Sequence, residues 1–204
     1  MPAGPSPSLV DAVVAQVLLN RDADLAAALL TLPTRAARAP LPASDLARLW
    51  PQTATGGVST DHIDADALRA HLASLPAVVS TPAGPAKVAD HLRLCCVRLV
   101  GASIEVHPPA LTEAVRILTA ILGQRFGGPT IEVRVPPVSA VQLGAFGQGP
   151  SHTRGTPPNV VETDPATFFE LATGRVALVD ARDRVRSSGS HADDLARMLP
   201  VVEW

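Results

Sequence analysis

The sequence predicts an α+β protein, with an all-helical N-terminal region over residues 1–102 and a mixed domain over residues 103–204. Three observations carry that prediction. Up to residue 126 the apolar residues recur every three or four positions, the period of an amphipathic helix. At "TIEVRV" (130–135) the period falls to two, the signature of a half-buried strand. Beyond it, short strand-like runs flank one well-marked helix, "TDPATFFELATGR" (163–175). Helices first and strands afterwards suit α+β rather than regular βαβ alternation.

The elements follow in order. "SLVDAVVAQVLL" (8–19) places Leu9, Val13 and Val17 on one broad stripe. "DADLAAALLTL" (22–32) reads as a second helix and "SDLARLW" (44–50) as a short one, capped by Ser44. A Pro-rich linker (33–44) separates them, and "QTATGGVSTDH" (52–62) is a loop. "DADALRAHLASL" (64–75) and "PAKVADHLRLCCVRLV" (85–100) repeat the helical pattern. All acids of this half are Asp, several at helix starts, where a carboxylate caps free N–H groups. "PPALTEAVRILTAILGQRFGG" (108–128) is a long amphipathic helix stopped by Gly127-Gly128. Pro136-Pro137 ends the strand after it, since proline lacks a ladder donor. "VSAVQLGAF" (138–146), "NVVET" (159–163) and "RVRSSG" (184–189) are the further strands. Asp164 or Thr163 caps the 163–175 helix, Pro165 fits its first turn and Gly174 ends it. "VALVDARD" (176–183) reads as one more helical turn and "HADDLARMLPVV" (191–202) as a last helix.

Composition narrows the function classes. The 204 residues are 47% hydrophobic and 18% charged, enough for a folded aliphatic core. Sixteen Arg against a single Lys, with heavy Ala and Pro, reads as a GC-rich bacterial genome. The net charge is −2, all of it in residues 103–204, so neither half offers the positive field that nucleic acid requires. The only cysteines, Cys95 and Cys96, are adjacent, which suits a reducing cytoplasm rather than a disulfide framework. The N-terminus is a poor signal peptide, and no apolar run reaches the roughly 20 residues of a membrane span, so stable membrane insertion is not expected.

The densest cluster of chemistry-bearing residues is "HTRGTPPNVVETDP" (152–165). As a catalytic loop it would pair His152 with a nearby hydroxyl, but no nucleophile elbow supports that. As an anion site, Arg154 with the Gly155 and Thr156 N–H groups would hold a carboxylate or phosphate. As a rigid corner, Pro157-Pro158 fixes two φ angles, Gly155 permits the turn and Asn159 bonds backbone. The last reading is preferred, with the anion contact as its rival. Metal binding would draw on His62, His71 and His91 with Asp61, Asp64 and Asp90, yet no ligand pair has one-face spacing. Neither a metal nor another cofactor is expected. Cys95 falls on a helix face with Val88, Leu92 and Leu99, the position of a buried thiol. Arg182, Arg184 and Arg186 around Val185 form a basic strand edge, solvated or facing an acidic partner or lipid headgroup.

The runs "IEVRVPPVSAVQ", "HTRGTPPNVVETDPATFFELATGR" and "RVRSSGSHADDLARMLPVV" together resemble the bacterial branch of the sterol-carrier-protein family. The resemblance implies a curved sheet of about five strands with helices on one face and an apolar tunnel between the layers. It also implies non-catalytic binding of a lipid, sterol-like molecule or fatty acyl chain. By alternation and helical phase, the candidate lining residues are Val133, Val135, Val138, Val141, Val160, Phe168 and Leu171. Two departures stand out: "LGAFGQGPS" is longer than the tight turn expected there, and Phe168-Phe169 stands where relatives tend to carry Trp. Some relatives join this domain to a helical metal-binding domain like that of mycothiol-dependent isomerases. The alternative function is therefore an accessory domain or subunit of a metal- or thiol-dependent enzyme. Residues 1–102 match no family and are left for a protein partner.

Overall fold

A computed structural model of the chain describes residues 5–20, 64–81, 84–146 and 158–202. Two compact units emerge, Met1–Glu113 and Ala114–Trp204. The expected helices at 22–32 and 44–50, the linker between them, and the 52–62 loop lie outside the described residues.

In the first unit, α1 (Pro7–Asn20) packs against α2 (Ala65–Ser74) and α3 (Val88–Ala102). Leu9, Val10, Ala12, Val13, Val14 and Val17 are all buried, so α1 is apolar around most of its circumference, as a central helix must be. Gln16 is the polar exception, fully buried on the same helix. Burying an amide costs free energy unless its donors and acceptor are used. Here its Nε2 lies 3.0 Å from Asn20 Oδ1, Ser103 Oγ and the Glu105 carbonyl, and its Oε1 accepts from the His107 N–H at 2.9 Å. One buried side chain thus ties α1 to the connection after α3. Asp64 caps α2, accepting from the Asp66 and Ala67 N–H groups at 3.0 Å.

The first unit also holds a hairpin, β1 (Val78–Thr81) with β2 (Gly84–Lys87), where the sequence predicts only helices. The run "VVSTPAGPAK" has β-branched residues before two prolines, and each proline removes a helical donor. Four-residue strands are too short to show a period, which is why the helical reading passed over them.

Helix α4 (Pro108–Phe126) leads into the second unit, followed by β3 (Gly127–Val135), β4 (Ser139–Leu143), β5 (Asn159–Thr163), α5 (Pro165–Ala172), β6 (Val185–Ser188) and a 3-10 helix (Ala192–Arg197). The sheet is open and mixed, in the order β4-β3-β5-β6. β3 runs antiparallel to β4 and parallel to β5, and β5 antiparallel to β6. Among the described residues the sheet therefore has four strands, where the resemblance implies about five. Residues 178–184 form turns instead of prolonging the helix, and the last helix is 3-10. Gly174 stops α5 as expected, with φ +72°.

Strand parity divides the sheet into two faces. Ile131, Val133, Val135, Leu143 and Val161 are buried on one, the inner face. Helix α4 lies against its β4 side. Thr119 Oγ1 is 2.9 Å from Ser139 Oγ, and a Cβ on Gly123 would come within 2.7 Å of Val141 Cγ2. Glycine at 123 is what lets the helix approach the strand this closely. The other face carries Glu132, Arg134, Glu162 and Arg186.

Candidate functional site

Asn159, where the 152–165 cluster enters β5, is the one residue of its proposed loop set within the described region. His152, Arg154, Gly155 and Thr156 lie outside it. Asn159 is 1% exposed and works as a clamp. Its Nδ2 donates to the Thr130 carbonyl on β3 at 2.9 Å, and its Oδ1 accepts from the His191 N–H at 2.9 Å. Gly189 passes so close, at φ +91°, that a Cβ there would collide with the Asn159 side chain and the Pro158 carbonyl. The side chain bonds β3 and the start of the 3-10 helix, so it joins β5 to separate segments rather than to its own backbone.

Asn159 pairs with Ile131 at the start of β5, and this register brings Val161 beside Val133 on the inner face. Val133 pairs with Val161 and, on the other side, with Val141. Of the seven candidate lining residues, Val133, Val135, Phe168 and Leu171 are buried, while Val138 and Val141 are half-buried. Val160 departs from the set. It pairs with Glu132 and Ser188, on the charged face, and Val161 takes the inward position. A shift of one residue in strand phase moves a side chain to the opposite face, and "VVET" offers two valines to choose between. Glu162, two residues after Val160, was the available signal, because it marks the parity of the wetter face.

Along the β5–β6 edge of the inner face lies a cavity of about 110 Å³. Val161, Val185, Leu178 and Ala192 form its apolar part. Ser187, Arg182 and Asp193 complete the lining. Arg182 Nη2 lies 3.5 Å from Asp193 Oδ1, with side chains 67% and 74% exposed. None of the seven residues expected from the sequence lines this cavity. Its position depends on the turns at 178–184 and on the 3-10 helix, which touches both β5 and β6. Small-molecule sites typically enclose about 300–1,000 Å³, so this recess fits one end of such a ligand. An engineered apolar cavity of about 150 Å³ is enough for benzene.

Ion pairs and caps hold the surrounding elements. Arg184 meets Glu170 of α5 at 2.6 Å, and this hydrogen bond raises the guanidinium above its ordinary pKa. Asp164 accepts from the Ala166 and Thr167 N–H groups at 2.9 and 3.0 Å and from Thr167 Oγ1 at 2.7 Å. Partial burial acts to raise its carboxyl pKa, but the three hydrogen bonds outweigh that and hold it below the ordinary value. Asp194 accepts from His191 Nδ1 at 3.1 Å and from the Phe146 N–H at 3.3 Å. Arg197 stacks 4.0 Å above the Phe146 ring centroid. These contacts join the exit of β4 to the 3-10 helix.

Cys95 and Cys96 are buried in the first unit and form no disulfide, and burial pushes the Cys96 thiol far above its ordinary pKa. Among the described residues, no three His, Cys, Asp or Glu side chains converge as a metal site would require. His62 and Asp61 lie outside those residues. Among them, too, no helix is long and apolar enough to cross a membrane.

Comparison with known proteins agrees with this architecture. No curated protein matches the chain. Residues 107–201 match a family model described as the bacterial SCP ortholog, and the match runs from the start of α4 to just past the 3-10 helix. Over residues 107–201 this chain is thus similar to the bacterial sterol-carrier-protein family.

Proposed function

We propose that the domain over residues 103–204 binds a hydrophobic small molecule, lipid, sterol-like or fatty acyl, without catalysis. The observation that carries this reading is the recess of about 110 Å³ at the β5–β6 edge of an inner face otherwise filled by aliphatic side chains. Burial of apolar surface, at about 25 cal/mol per Å², supplies the driving force. The recess takes one end of the ligand. Val133, Val135, Val141, Phe168 and Leu171 form the wall behind which the rest is accommodated by side-chain displacement. The protein then works in the cytoplasm as a carrier, and residues 1–102 provide a surface for a protein partner.

Titration of delipidated protein with a fluorescent fatty acyl probe tests the reading. Saturable uptake, weakened by Ala192→Leu, which fills the recess, is expected. Absence of saturable uptake by the delipidated chain overturns it. The alternative, an accessory part of a metal- or thiol-dependent enzyme, draws no support from the buried cysteines.

A further inference from the structure

We infer that the β5–β6 recess is specific for amphiphiles with a zwitterionic head, recognised by Arg182 and Asp193 at its mouth. This inference rests on the carrier reading above and names the head-group chemistry of the same site.

The recess joins two kinds of lining. Val161, Val185, Leu178 and Ala192 offer a small apolar floor, suited to a hydrocarbon segment no larger than a ring of six carbons. Arg182 and Asp193 face each other at 3.5 Å, beyond ideal hydrogen-bond length, and both are largely exposed. So long and exposed a pair contributes little to the fold. Its two groups are therefore available to exchange each other for ligand charges at small cost. A head carrying only a negative charge would satisfy Arg182 and sit against Asp193. A head carrying only a positive charge would do the reverse. A head with both charges satisfies both residues, with the guanidinium on the anion and the carboxylate on the cation. The neighbouring basic residue on the same turn, Arg184, is held by Glu170 at 2.6 Å, which leaves the local balance at the mouth to Arg182 and Asp193. Ser187 adds a hydroxyl that can donate to an anionic oxygen.

The test uses the full chain and three single-chain amphiphiles with one common tail and different heads: phosphocholine, carboxylate and trimethylammonium. Each displaces a bound fluorescent acyl probe, below its micelle concentration. Phosphocholine is expected to bind at least fivefold more tightly than the other two. Arg182→Gln is expected to erase its advantage over trimethylammonium, and Asp193→Asn its advantage over carboxylate. Both side chains are exposed, so an unchanged denaturation midpoint verifies that the variants fold. Equal affinity for the three heads, or variants that weaken all three alike, overturns the head-group inference while leaving the carrier reading intact. Failure of every amphiphile and of the probe to bind overturns both.

Discussion

The two faces of the C-terminal sheet are built from alternate residues of the same strands, yet they share almost no chemistry. On the inner face Val133 and Val161 pair side by side, 0% and 1% exposed. On the outer face Arg134 pairs with Glu162, which pairs in turn with Arg186, so charge alternates across three strands. Arg134 also meets Glu132 at 3.0 Å along its own strand. The inner face contributes stability by excluding water. The outer face contributes solubility and opposes register errors, because a slip by one residue would bury Glu162 and expose Val161. Position in a strand therefore matters more than residue type, as the adjacent valines 160 and 161 demonstrate.

The contrast can be broken or sharpened by mutation. The largest effect is expected from Phe168→Ala, which opens a cavity beneath a helix whose Phe168 is 1% exposed. A loss of about 3–5 kcal/mol in denaturant unfolding is expected, and a loss under about 1 kcal/mol would mean that Phe168 is not part of a packed core. Asn159→Ala comes next. It strips partners from the Thr130 carbonyl and the His191 N–H, at about 1–3 kcal/mol for a buried group left unsatisfied. Gly189→Ala should destabilise through the same corner by strain and collision, with a lowered melting temperature as the readout.

The sharpest comparison uses neighbours. Val161→Thr places a hydroxyl among aliphatic side chains and should cost about 1–3 kcal/mol. Val160→Thr, on the charged face, should change stability by no more than about 0.5 kcal/mol. Equal costs at the two positions would refute the parity assigned to β5. Asp164→Ala removes the cap of α5 and should cost about 1 kcal/mol at neutral pH. The carboxyl pKa is depressed in the folded state, so its contribution is complete above the unfolded value, near pH ~4. It fades as pH falls through the folded value. The stabilities of the wild type and the Asp164→Ala variant should therefore converge at low pH, and a gap that persists there would place the effect elsewhere.

Much of this architecture could be read from the residues. The helices α1, α2, α3 and α4 follow their apolar periods, and Asp64 and Asp164 cap where the pattern predicts. The alternation in "TIEVRV" marked β3, and "VSAVQLGAF", "NVVET" and "RVRSSG" marked the other strands of its sheet. The hairpin at 78–87 was missed because its strands are too short to show a period. The candidate site was only partly legible. Inward residues of β3 followed from alternation, but Val160 was chosen over Val161 because a run of two valines does not declare its parity. Leu178, Val185 and Ala192 were not assigned to the site, since Val185 and Ala192 are single apolar residues in polar sequence and Leu178 lies in the run "VALV", read as a helical turn. The basic edge around Val185 was noticed, but nothing local links it to Asp193.

Local physics settled what lies within one element. Helical period, strand alternation, proline's missing donor and a carboxylate's affinity for free N–H groups act over a few residues, so the sequence alone determined most of the elements and the family resemblance of the second half. The order of strands, the inward turn of Val161 and the meeting of Arg182 with Asp193 involve residues brought together from separate segments. Only the tertiary structure decided them, because they depend on the register that Asn159 fixes between β3, β5 and the 3-10 helix.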